Sequence, residues 1–212
     1  MDSCCETKSA ELSVLRGKHK TVLIVVLVIN AVLFVVEAAA GLLANSTALL
    51  ADSLDMLGDS LVYGFSLYVL WRNAAWKAKA ALLKGAIMAV FGVGVLLEVI
   101  YKVISGIVPS AETMGIIGAL VLLGNGICFF LLFRYRSDDL NMRSTWLCSR
   151  NDIIANVSVL VAAIGVKVVD ASWPDIAVGV GIAALFLRSA FTLLHESFGE
   201  LRILKSQSTT AA

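Results

Sequence analysis

Apolar runs of membrane-crossing length recur along almost the whole chain, and they constrain its fold more than any motif does. A hydrocarbon core of about 30 Å takes about 20 residues of helix to cross. Six stretches meet that length: 21–43, 47–71, 80–107, 112–133, 144–168 and 174–195. Only two prolines occur in 212 residues, so few helix breakers interrupt them. With 59% of residues hydrophobic and 16% charged, the composition is that of an integral membrane protein. No barrel periodicity is present, and the expected fold is all-α, a polytopic membrane protein of six transmembrane helices.

Short links organise these helices into hairpins. "ANS" at 44–46, "VPSAET" at 108–113 and "VDASWPD" at 169–175 join the first to the second, the third to the fourth and the fifth to the sixth. Lys and Arg set the orientation, because basic flanks are retained on the cytoplasmic side. Arg16, Lys18 and Lys20 precede the first span, Arg72, Lys77 and Lys79 separate the second from the third, and Arg134, Arg136 and Arg143 separate the fourth from the fifth. Arg202 and Lys205 follow the sixth, whereas among the opposite links only Lys167 lies nearby. Both termini are therefore expected in the cytoplasm. The expected organisation is a tail over 1–20, a transport domain over 21–197 and a short tail over 198–212, in a cell inner or plasma membrane. A net charge of +1, distributed along membrane flanks, points to the bilayer as partner and not to nucleic acid.

Four cysteines do not make a disulfide framework here, since Cys4 and Cys5 fall in the cytoplasmic tail and Cys128 and Cys148 in helices. The vicinal pair Cys4 and Cys5, beside Glu6 and with His19 further on, is either a capture site for a soft metal or a pair of exposed thiols.

Charges inside the spans carry the chemistry. An ionised side chain at the bilayer centre costs about 2.5–3.5 kcal/mol on the insertion scale, yet "ALLADSLDMLGDS" places Asp52, Asp55 and Asp59 in the second span. Spacings of three and four residues put all three on one helical stripe about 10 Å long. That stripe cannot face lipid. No basic residue on the same span neutralises it, so a cavity, a partner or a cation must. Asp52, nearest the outer end, is a structural carboxylate hydrogen-bonded within the bundle, an entry or exit carboxylate, or a solvated helix-end charge.

The fifth span answers with a stripe of its own, Cys148, Asp152 and Asn156 at four-residue spacing. Counting inward from the span ends places Asp59 and Asp152 at similar depth, so antiparallel second and fifth helices would bring their carboxylates together. Such a group stays ionised with a divalent cation among its members and otherwise holds protons. Sites that carry either a metal or protons are the minimal parts of a metal–proton antiporter. Two helical pairs from two helices supply four ligands, which suits tetrahedral zinc, and a sulfur among oxygens favours Zn²⁺ or Cd²⁺ over Mg²⁺ or Ca²⁺. The metal is then transported substrate, with no prosthetic group expected.

At these residues the chain resembles the cation diffusion facilitator family, whose six-helix transporters carry a His/Asp-xxx-Asp pair on the second and on the fifth helix. "NSTALLADSLDMLGDSL" is similar to the second-helix signature, "CSRNDIIANVSVLVAA" to the fifth, and "WPDIAVGVGIAALFLRSAFTLLHES" to the sixth, with Asp175 near its start. The resemblance implies a metal site of Asp55, Asp59 and Asp152 and a divalent cation exported in exchange for protons. It departs from the family at Cys148, where His or Asp is common, so the fourth ligand is either that thiolate or Asn156, with ligand chemistry favouring Cys148. Many members also continue into a cytoplasmic metal-binding and dimerising domain. Only 15 residues follow Ser197 here, so a homodimer is expected through membrane helices.

Two other classes use similar parts: a membrane metal sensor or scaffold that does not transport, and an intramembrane aspartyl protease. The protease chemistry needs one paired acid on each helix, not a second carboxylate four residues away. Elsewhere, Glu98 and Lys102 are expected to form an intrahelical ion pair, Asn30 and Glu37 to line the cavity or bond a neighbouring helix, and Gly118, Gly124, Gly126, Gly179 and Gly181 to admit close helix approach.

Overall fold

The computed structural model of the chain describes residues 20–69, 74–134 and 140–210. They form six helices: α1 (Lys20–Ala44), α2 (Thr47–Val69), α3 (Ala74–Ser105), α4 (Ala111–Phe133), α5 (Leu140–Val169) and α6 (Trp173–Thr210). Each corresponds to one expected span. On the basic side α3, α5 and α6 run past their apolar stretches, because "AAWKAK", "LNMR" and "ELRILKSQ" contain good helix formers and no proline. Hydrophobic length therefore underestimates the helix wherever its end reaches water.

The three outer links share one device. Asn45 (φ 50°), Gly106 (φ 66°) and Asp170 (φ 50°) each end a helix in the left-handed region, which Gly, Asn and Asp enter most readily. Ser46 N–H donates to Gly41 O at 2.8 Å and Asn45 N–H to Leu42 O at 3.3 Å, the Schellman pattern, while Gly106 and Asp170 each return one bond to the carbonyl four residues back. The next helices are capped at once. Ser46 Oγ accepts from Leu49 N–H at 3.1 Å and Ser110 Oγ from Thr113 N–H at 3.3 Å. Ser110 N–H then donates to Ala44 O at 3.0 Å, tying two outer links together.

α2 is the central helix, packed against α1, α3, α5 and α6, while α3 pairs with α6, α4 with α5 and α1 with α4. Its outer half, residues 47–54, is buried on every side. Leu49, Ala51 and Leu54 of α2 meet Met88 of α3, Val159 of α5 and Ala183 of α6 in the main apolar core. The other five helices contain stretches long and apolar enough to cross a membrane. They turn large apolar side chains outward: Val35, Val90, Leu123 and Ile164 are 62%, 70%, 69% and 64% exposed. In water such a surface would aggregate; in lipid it is matched to its solvent. The enclosed helix is thus the one that carries Asp52, Asp55 and Asp59, as the cost of facing lipid requires.

Small residues let the helices close in. A Cβ on Gly179 would lie 2.8 Å from the backbone of Thr47, and one on Gly124 would lie 2.7 Å from Leu33, whereas Gly126 and Gly181 face open space. The expectation of close approach therefore holds at Gly179, Gly124 and Gly118 and fails at the other two.

Candidate functional site: carboxylates between α2 and α5

Two buried polar clusters frame α2. At its outer end Asp175, in the first turn of α6, sits on the N-terminus of α2 and is wholly buried. It accepts from Ser46 Oγ (2.6 Å), Thr47 N–H (2.9 Å), Thr47 Oγ1 (2.7 Å) and Ala48 N–H (3.1 Å), so it satisfies two of the amides that no helix can satisfy for itself. Lys102 of α3 completes the group, its ammonium 2.6 Å from Asp175 Oδ2 and also bonded to the Asn45 carbonyl. The expected Glu98–Lys102 pair is corrected here. Glu98, four residues back on α3, is half-buried, whereas the end of α3 lies against two outer links that present Lys102 with a wholly buried carboxylate and a backbone carbonyl.

The second cluster lies one to two turns inward. Asn156 of α5 donates its amide to Asp52 Oδ2 at 2.6 Å and accepts from Asn125 of α4 at 2.8 Å. Asp52, Asn156 and Asn125 are 0%, 1% and 2% exposed, so Asp52 is a buried, bonded carboxylate and not a solvated helix-end charge. Glu37 of α1, also fully buried, faces the Asp52 carboxyl from the other side. Asn30, a further two turns along α1, donates instead to Val26 O at 2.9 Å and lies 3.9 Å from Cys128 Sγ.

The Asn156–Asp52 bond ties α5 to α2 at this level; Asp55 and Asp59 lie about one and two turns inward of Asp52 along α2, as Asp152 and position 148 lie about one and two turns inward of Asn156 along the antiparallel α5. Asp59 is buried, while Asp55 and Asp152 are half-buried. Among the described residues no three His, Cys, Asp or Glu form a group that would hold a metal. The Cys148 side chain lies outside those residues, as do Cys4 and Cys5.

Residues 23–202 match the cation efflux transmembrane domain. The chain belongs to that family. Two curated relatives are the zinc transporters ZitB of Yersinia pestis, 29% identical over 123 residues, and of Yersinia pseudotuberculosis serotype I (strain IP32953), 28% identical over the same number. Each match covers 58% of this chain and 39% of the relative. Membership of that family sets the intramembrane protease aside, and the apolar spans make the chain an integral membrane protein.

Within this cation efflux domain, sequence reasoning found the α2 and α5 stripes and missed two partners. Asn125 is the one amide in the α4 span "AETMGIIGALVLLGNGICFFLLF", a signal that a polar contact waits across the interface. Lys102 is a cation near the bare outer side, where the positive-inside pattern makes it exceptional.

Proposed function

We propose that the chain exports a divalent metal ion, with zinc as the leading cargo, in exchange for protons at a site made by Asp55 and Asp59 of α2 and Cys148 and Asp152 of α5. The observation that supports this reading is the Asn156–Asp52 hydrogen bond, which brings the α5 stripe against the α2 stripe just outward of these residues. Family membership supports the class of cargo, and the names of the ZitB relatives support zinc within it. Asn156 donates to Asp52 and accepts from Asn125, which supports Cys148 over Asn156 as the fourth ligand. Three carboxylates and a thiolate carry enough negative charge to hold a divalent cation in a low dielectric and, once it leaves, to take up protons. Loading from one side and release to the other then exchanges the two ions.

Proteoliposome flux tests the reading. Zinc uptake coupled to counter-movement of protons is expected for the native chain, and Asp59→Ala and Asp152→Ala should abolish both. Native transport in both variants overturns the site. Competition among Zn²⁺, Cd²⁺, Co²⁺, Pb²⁺ and Mn²⁺, repeated with Cys148→Ala and Asn156→Ala, identifies the cargo and the fourth ligand together: loss of preference for the softer ions is expected only in Cys148→Ala.

A further inference from the structure

Among the described residues, Glu37 is a carboxyl whose burial has no counterpart in its hydrogen bonding. Both of its carboxyl oxygens and Asp52 Oδ1 are inaccessible to solvent and meet no hydrogen-bond donor. Such groups are rare in folded proteins, because an unsatisfied buried carboxyl forfeits its hydration without replacement. The group facing Glu37 is the Asp52 carboxyl, itself wholly buried and held by a single amide donor.

Among the described residues, the charged groups recorded as acting on Glu37 are carboxylates and include no cation. On α2 the other charged neighbour is Asp55, a further carboxylate. α4 and α5 contribute the neutral amides of Asn125 and Asn156, and Cys128 of α4 lies against Asn30. Lys102 is bound to Asp175. Two adjacent carboxyls can satisfy one another only with a proton between them, as paired acids in other buried sites do. Asn156 defines the arrangement further: its amide nitrogen donates to Oδ2 of Asp52, leaving Oδ1 buried and without a donor.

We propose that Glu37 and Asp52 hold one proton between them, forming a proton-binding site separate from the metal ligands. Asp52 stands three residues outward of Asp55 on the same stripe, and Asn156 four residues outward of Asp152, so the pair lies one turn from the metal site in the register set by their hydrogen bond. A divalent cation arriving there repels a proton on the pair, and its departure restores one. The site supplies a coupling proton from groups that never touch the metal. This coupling rests on the metal–proton exchange proposed above; the existence of the proton site does not.

Infrared spectroscopy of the full chain in lipid nanodiscs tests the two separately. Metal-free protein at neutral pH should show the carbonyl stretch of a neutral carboxyl that disappears in both Glu37→Gln and Asp52→Asn, and in the native chain it should disappear on saturation with Zn²⁺. Protons released per Zn²⁺ bound should fall by about one in Glu37→Gln, with Zn²⁺ still bound. Glu37→Gln preserves shape; if it does not fold, Asp52→Asn provides the same readouts. A spectrum without that band, a band indifferent to both substitutions, or one that survives bound Zn²⁺ overturns the proposal. A band that depends on both residues in a chain that binds no Zn²⁺ supports the proton site and overturns the metal reading instead.

Discussion

Removing the Asp175 carboxylate should be the most damaging single change at the outer end of the bundle, and its cost should exceed that of removing its ionic partner. Asp175 accepts from Ser46, from both donors of Thr47, from Ala48 and from Lys102, and it is wholly buried. Asp175→Ala strands all of these donors, including an ammonium that is 2% exposed. Breaking a buried pair in this way costs about 3–5 kcal/mol. Lys102→Met leaves the carboxylate with its hydroxyl and amide donors and the positive end of α2, so the loss is confined to the two bonds of the ammonium, to Asp175 and to the Asn45 carbonyl. About 1.5–3 kcal/mol is expected. The double variant no longer strands the ammonium and should be less destabilised than the two single costs combined, by about 1–3 kcal/mol. Denaturation in mixed micelles, followed by far-ultraviolet circular dichroism and extrapolated linearly, measures all four states. Equal single costs that simply add would refute the reasoning, since they would mean that water reaches the cluster and solvates whichever partner remains.

Other consequences follow from contacts of different kinds. Gly179→Ala places a methyl 2.8 Å from the Thr47 backbone, which cannot yield as a side-chain tip can, and should cost about 1–3 kcal/mol, whereas Gly181→Ala meets open space and should be neutral or stabilising in the same unfolding assay. Asn125→Leu removes a neutral interhelical hydrogen bond to Asn156, worth about 0.6 kcal/mol in membranes, and should leave stability almost unchanged. Asn156→Leu removes the donor to Asp52 as well, and should therefore cost measurably more in that assay.

The number of helices, their antiparallel pairing through short links and the exclusion of α2's stripe from lipid were all legible in the residues. Each depends on local periodicity and on the price of charge in hydrocarbon, both of which act within one helix. The stripes were legible for the same reason: positions three and four apart share a face wherever the helix lies. Family resemblance was legible too, because its signatures are contiguous.

Which residues meet across helices was not. Asn156 bonds to Asp52 of α2 and to Asn125 of α4, partners that nothing within its own helix indicates. Lys102 had a carboxylate four residues away on its own helix and bonds instead to Asp175, 73 residues further along the chain. Glu37 had no visible role until the fold set it against Asp52. The sequence by itself determined what each helix must bury. Only the tertiary structure decided against what, because the energy of a buried polar group depends on the partner that the neighbouring helix brings to it.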